Sequence, residues 1–249
     1  MNKSLIDQIK RYDAEAGDHS KHYNDKYTQM YRNEFMRAPL FKDSLTGMFT
    51  LDAMCASGIE TGYLIELGAE VVGVDISKKN VEEYNKRWGK PCYLNSIHKT
   101  TFSDNSFDAV YINGGLHHVL PLLKETISEV YRILKPGGYF YFLEPNKDTW
   151  VNQLRKIWYK IDGKFTEDEE AISYKNNLKP FLSLGFTEKS LNFGGNIAYI
   201  IIGQSLVLRI PQRYKKYLAP ISFFLERIFS KLPFMPKLFF SAVWKKNNL

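Results

Sequence analysis

The rhythm of polar and apolar positions changes near residue 46. Residues 1–45 are mostly polar and read as helical, with Tyr23, Tyr27, Tyr31 and Phe35 spaced four apart on one helix face. Beyond them, short apolar runs alternate with stretches of helical period. Phe49 to Asp52 predicts a first strand, Ile59 to Leu67 a helix stopped by Gly68, and Glu70 to Asp75 a second strand. A helix follows over Lys78 to Trp88, then strands over Cys92 to Asn95 and Phe107 to Asn113. Leu122 to Leu134 is a helix ended by Lys-Pro-Gly-Gly, and Tyr139 to Glu144 a fifth strand. Strands joined through helices pair in parallel, with helices on both faces of the sheet. After Pro145 the alternation loosens. Asn146 to Asp162 reads as a helix, Phe165 to Glu170 as an acidic loop, and Ile172 to Leu184 as a helix closed by Gly185. Phe186 to Phe193 and Ile197 to Leu208 then read as two strands around Gly194-Gly195-Asn196, an antiparallel hairpin.

At 249 residues the chain is long enough for one large domain with its own core. Two cysteines, Cys55 and Cys92, make neither a disulfide framework nor a zinc ribbon. His19, His22 and His98 lack metal-ligand partners at a recognisable spacing, so no metal is expected. The polar start, Met1 to Ser20, carries no apolar core of a signal peptide, and no apolar run is long enough to span a bilayer. The expected location is the cytoplasm.

The net charge of +7 is concentrated at one end. From Leu206 to Leu249 the basic residues are Arg209, Arg213, Lys215, Lys216, Arg227, Lys231, Lys237, Lys245 and Lys246, and the acid is Glu226. That distribution does not fit a uniformly basic nucleic-acid binder. The segment is also rich in aromatic and aliphatic residues. It reads either as an appendage packed on the domain with its lysines in water, or as a helix lying on a membrane surface. Pro220, Pro233 and Pro236 cut such a helix into short pieces.

The chemistry gathers at the first strand–helix turn. Leu51-Asp-Ala-Met-Cys-Ala-Ser-Gly runs out of the first strand, and its small residues let backbone approach a ligand at the carboxyl edge of the sheet. Asp75, at the end of the second strand, is placed to accept both hydroxyls of a ribose. The pair predicts an adenosine-type ligand. Only Gly58 stands in the run, so the G-x-G-x-x-G of a dinucleotide site is incomplete, and the Gly-Lys-Ser/Thr of a P-loop is missing.

Leu51-Asp-Ala-Met-Cys-Ala-Ser-Gly resembles motif I of the class I S-adenosylmethionine (SAM)-dependent methyltransferases. Val71-Val-Gly-Val-Asp-Ile-Ser is similar to their motif II. The run from Phe102 through Asn113 to Val119, the turn Leu134-Lys-Pro-Gly-Gly-Tyr-Phe and the ending Glu144-Pro-Asn resemble the type 11, UbiE-like small-molecule branch. The resemblance covers residues 20 to 208. It implies an α/β, Rossmann-like, doubly wound and mostly parallel seven-stranded sheet with a C-terminal antiparallel hairpin. To this the chain adds N-terminal lid helices (1–45) and the basic aromatic appendage (209–249). The SAM-binding domain is then 46–208, with 146–180 as an insertion on the substrate side.

The resemblance also implies roles. Asp52 and the backbone of Met54 and Ala56 hold the methionine part of SAM, and Gly58 permits close packing. Asp75 takes the ribose, Ile76 lies against adenine, Ser96 and Ile97 sit at the adenine edge, and Asn113 lines the pocket. Tyr23, Tyr31 and Arg32 belong to a lid near the SAM carboxylate. Met54 and Ala56 replace glycines usual in the family: Ala56 is a mild change if its φ is negative, and Met54 must turn away from the ligand or cap it. Ser96 replaces an acid and accepts the adenine amino group more weakly.

Methyl transfer displaces a sulfonium, and an alcohol acceptor must lose a proton. His117, His118 and Glu144 are the candidate catalytic residues, with at most one histidine as the base. The expected reaction yields S-adenosylhomocysteine and a methylated small molecule. The acceptor is a hydroxyl or phosphate oxygen of a sugar, a surface-polysaccharide precursor or a phospho-metabolite. The nucleic-acid methyltransferase signature, Asn/Asp-Pro-Pro-Tyr/Phe, is replaced here by Asn113-Gly-Gly-Leu, so nucleic acid is not the expected partner. The alternatives are a quinone- or lipid-type methyltransferase touching a membrane through 211–249, and a non-catalytic docking protein on the same fold. An NAD-dependent oxidoreductase is disfavoured by the missing glycines.

Overall fold

The computed structural model describes residue 13 and residues 23–161, 170–205 and 208–248. His19, His22 and most of the expected acidic loop lie outside the described residues.

Seven strands form one sheet: β1 (Phe49–Ala53), β2 (Glu70–Asp75), β3 (Cys92–Leu94), β4 (Phe107–Asn113), β5 (Leu134–Pro145), β6 (Phe186–Gly194) and β7 (Phe239–Lys246). Their order is β3-β2-β1-β4-β5-β7-β6. The first five pair in parallel, and β7 runs antiparallel to both β5 and β6. The six described helices are α1 (Lys26–Tyr31), α2 (Thr61–Glu66), α3 (Lys78–Trp88), α4 (Leu123–Ile133), α5 (Asn152–Ile161) and α6 (Gln212–Phe229). After α1 the chain stays helical through a wider turn, Arg32–Arg37, to Leu40.

Central strands are buried on both faces, as parallel strands covered by helices must be. Val110, Ile112, Phe140 and Phe142 point into a core shared with Ile127 and Val130 of α4. The alternate residues Ala109, Tyr111 and Tyr141 meet Leu40, Phe41 and Leu64 on the opposite face. Local signals set the ends of α3. The Ser77 hydroxyl accepts the Asn80 N–H at its start, and Gly89 closes it at φ 58°.

The antiparallel ending is present, but its second strand is not 197–208. Residues Tyr199–Gly203 form a helical turn instead. The buried Glu226 carboxylate of α6 accepts the N–H groups of Asn196 (3.0 Å) and Ala198 (2.9 Å), which caps that turn and removes both donors from any ladder. The seventh strand comes from 239–246, inside the segment read as an appendage. It lies between β5 and β6, so residues 209–249 are integral to the sheet domain. Being buried on both faces, Phe239–Lys246 shows almost no alternation.

Pro220 does not break α6. Its ring lies on the exposed side of the helix, where water can take the Lys216 carbonyl it leaves unpaired. The expected helix over 172–184 is two short pieces, a wider turn over Tyr174–Leu178 and a tighter one over Lys179–Leu184. Two of the tail's lysines are not in water. Lys215 is fully buried, donating to Asp25 (2.6 Å) and Thr28 (2.7 Å) of the N-terminal helix. Lys246 donates to the carbonyls of Tyr131 (2.8 Å) and Leu134 (2.7 Å) at the end of α4.

Candidate active site

The sheet order reverses at β1, which has β2 on one side and β4 on the other. The crevice above the carboxyl ends of β1 and β4 is where ligands of such sheets bind. The turn after β1 is strained: Met54 and Ala56 have φ of 55° and 47°, left-handed values that side chains disfavour. The mildness expected of Ala56 required a negative φ, so that expectation fails. The turn is held by Asp75, whose Oδ2 accepts the Ala56 N–H (2.9 Å) and whose Oδ1 accepts the Ser77 N–H (2.9 Å). The Met54 side chain turns toward the loop after β4, where a Cβ at Gly115 would stand 2.6 Å from its sulfur. Gly58 is required twice: its φ is 77°, and a Cβ there would meet Trp88 Nε1 at 2.3 Å.

Two carboxyl groups and two guanidiniums converge under this turn. Asp52 is buried and accepts the Thr61 hydroxyl at 2.6 Å. Burial, added to by Glu60 and Asp75, pushes its carboxyl up to about 8. Glu60 is bonded by Arg32 (Nε, 3.1 Å; Nη2, 2.5 Å), by Arg37 (Nε, 2.9 Å; Nη2, 2.8 Å) and by the Tyr111 hydroxyl (3.2 Å). Burial opposes its charge, but the two guanidiniums prevail and hold the carboxyl far below its usual range. Two cations thus share one carboxylate. Arg37 spends its other donors on Gln29, Asn33 and the Ile59 carbonyl. Arg32 lies over the Tyr23 ring, 5.5 Å from its centroid, and among the described residues its Nη1 meets no acceptor.

Two expected cofactor contacts, Tyr31 and Ile97, are buried in the cores instead. Tyr31 is fully buried among Phe35, Tyr199 and Phe223, so its ring is core packing rather than a lid over a ligand, whereas the Tyr23 hydroxyl donates to Gln204 Oε1 (3.4 Å). Ile97 is buried in the central core. Ser96 faces His98, with Oγ 2.5 Å from Nδ1. Ile76 and Asn113 are half-buried at the ends of β2 and β4, beside the turn. Asp13 was not anticipated. It accepts the Ser77 hydroxyl (2.5 Å) next to Asp75, at the N-terminus of α3, where a carboxylate is favoured.

At the ends of β4 and β5 the structure brings His117, His118 and Glu144 together. Glu144 is fully buried and holds the loop after β4. Its Oε1 accepts the N–H groups of Gly115 (2.9 Å) and Leu116 (2.7 Å), and its Oε2 lies 2.7 Å from His117 Nδ1. Burial pushes the carboxyl up to about 7, against the pull of these amides and of His118. Both carboxylate oxygens are engaged by the loop after β4, a contact that positions His117. Accepting from Nδ1 fixes the tautomer of His117 and makes Nε2 its basic nitrogen. The His118 ring is tilted 39° against it, 3.9 Å between centroids. A cavity of about 520 Å³ lies further along the same edge, with Asn146, Thr149, Trp150, Tyr174 and Phe193 in its walls. Among the described residues no group of three or more His, Cys, Asp or Glu side chains is arranged to hold a metal. No described helix is long and apolar enough to cross a membrane.

Known proteins resemble this chain in sequence and in fold. A family model described as a methyltransferase domain matches residues 51–142, from β1 into β5. The demethylmenaquinone methyltransferase of Staphylococcus haemolyticus is 31% identical over 186 residues, which cover 63% of this chain and 76% of that protein. An uncharacterized methyltransferase of Synechocystis is 35% identical over 108 residues, 42% of this chain, and the match spans about half (51%) of its length. The crystal structure of the N-methyltransferase NodS from Bradyrhizobium japonicum, in complex with S-adenosylhomocysteine, has the same fold. Its TM-score is 0.59 at 12% identity, with 96% of this chain and 97% of that chain covered. The chain belongs to the SAM-dependent methyltransferase family, and SAM is its cofactor.

The residues present fit that cofactor. Among the described residues buried Asp52 forms no ion pair, and it suits an ammonium. The surplus guanidinium of Arg32 suits a carboxylate. Asp75 has acceptor capacity left on Oδ2 for a hydroxyl.

Proposed function

We propose that the protein methylates an oxygen of a small hydroxylated acceptor, with His117 as the general base. The observation that carries this reading is the buried Glu144 carboxylate on His117 Nδ1, fixed at the carboxyl edge of β4 and β5 by two loop amides. Such a pair does little for an acceptor that is already a free nucleophile. It serves a hydroxyl, whose proton must leave as the carbon–oxygen bond forms. Asp52, Asp75, Arg32 and the backbone of Met54 and Ala56 hold SAM, with Ile76, Ser96 and Asn113 around its nucleoside. Bound there, SAM supplies the electrophilic methyl group. His117 Nε2 takes the acceptor's proton, Glu144 holds the imidazole and stabilises its cationic form, and Gly115 and Leu116 stay fixed through the same carboxylate. Positioning and proton removal are the whole of the protein's contribution.

The test is a panel of hydroxylated metabolites, lipids and quinols incubated with isotopically methyl-labelled SAM. The labelled product is identified by mass and by the atom that carries the methyl. The reading expects a methyl ether, and a loss of about 10²–10⁴ in kcat for His117→Ala with SAM affinity unchanged. A label on nitrogen or carbon, or full activity in His117→Ala, overturns it.

A further inference from the structure

The outer face of α6 carries a continuous apolar stripe that nothing among the described residues covers. Tyr214, Tyr217, Ile221, Phe224 and Ile228 recur every three or four residues and are 42–65% exposed. The opposite face of the same helix is sealed by Lys215, Ala219, Ser222, Phe223 and Glu226. The stripe is therefore surplus to folding. Phe234, 68% exposed, follows the helix, and its carbonyl accepts the indole N–H of Trp150, itself 67% exposed (3.1 Å).

Beside the stripe, on one flank, stand Arg213, Lys216, Arg227 and Lys231, all exposed. Arg227 is held by Glu34 (2.6 Å). Among the described residues the other three meet no carboxylate. Arg213 lies over the ring of Tyr214, and Lys216 over that of Tyr217.

We infer that this face lies on an anionic phospholipid bilayer, with the stripe in the acyl–headgroup boundary and the cations on lipid phosphates. The occupant follows from charge and composition. A two-fold partner copy would set the same basic flank, Arg213, Lys216 and Lys231, against its own image, which repels. An anionic surface satisfies all three cations at once, and tyrosine and tryptophan rings suit its boundary. The 18-residue helix lies flat, since it is too polar to span. This inference is independent of the acceptor and of His117.

The test is co-sedimentation of the full chain with vesicles of phosphatidylcholine alone or containing phosphatidylglycerol, at low and high salt. Ile221→Glu/Phe224→Glu and Arg213→Glu/Lys216→Glu change only exposed positions, so their thermal unfolding should match the native chain and show that they fold. The expected result is salt-sensitive binding to the anionic vesicles and weak binding to the neutral ones. Each removed cation should lower partitioning about fivefold, and the apolar double variant should abolish it. The inference is overturned if the native chain does not bind anionic vesicles, or if the apolar variant binds equally well. It is also overturned if the native chain forms a dimer that the apolar variant loses while vesicle binding is absent.

Discussion

Ala56 and Asp52 show how the site is built against local preference. Ala56 takes a left-handed φ that costs roughly 1 kcal/mol for a residue with a Cβ. Ala56→Gly should therefore raise stability by about 0.5–1 kcal/mol in urea unfolding, and a fall would contradict the strain. Asp52 and Glu144 are both pushed up by burial, to about 8 and about 7. A carboxyl whose folded pKa is raised binds its proton more tightly in the folded state. Its stabilising contribution is complete below the unfolded value near 4 and is lost as pH rises through the folded value. The melting temperature should thus fall between pH 5 and pH 9, and Asp52→Asn, which keeps an acceptor for Thr61, should flatten that fall. A native melting temperature that is level or rising over this range would refute the assignment. The types of Asp52, Asp75 and His117 were legible from the motifs. Which group Glu144 serves was not, because only the fold shows one of its oxygens on the Gly115 and Leu116 amides and the other on His117.

At the scale of elements, α6 and β7 turn a seeming appendage into structure. Glu226 on α6 accepts two backbone N–H groups of the turn before Tyr199, and Lys215 pins the same helix to Asp25 and Thr28. Glu226→Ala leaves those amides buried and unpaired, and should cost about 2–3 kcal/mol in urea unfolding. A change under about 0.5 kcal/mol would mean that the cap is idle. A chain ending at residue 210 lacks β7, so β5 and β6 lose their shared partner. It should show no cooperative melt, and a native-like transition would contradict the topology. The strands β2 and β4 and the helix α3 were readable to the residue, because apolar period, caps and turn residues agree there. The last strand pair was not. Ile197–Leu208 has the composition of a strand, yet an acid 28 residues beyond Ala198 captures its backbone, and local pattern carries no trace of so distant a contact.

For the molecule as a whole, four motifs in order sufficed to read a Rossmann-like sheet, and its order β3-β2-β1-β4-β5-β7-β6 puts the turn after β1 at the reversal point. The account's central claim is that this turn, with Met54 and Ala56 in place of glycines, is a working SAM site. Its charges would come from Asp52, Asp75 and the Arg32–Glu60–Arg37 cluster. The most direct measurement is calorimetric titration with SAM, S-adenosylhomocysteine and NAD, of the native chain and of folded Asp75→Ala and Arg32→Ala variants. The account predicts binding of both adenosyl ligands and none of NAD, weakened at least tenfold in each variant. Native failure to bind either adenosyl ligand, or variants that bind as tightly as the native chain, would contradict it.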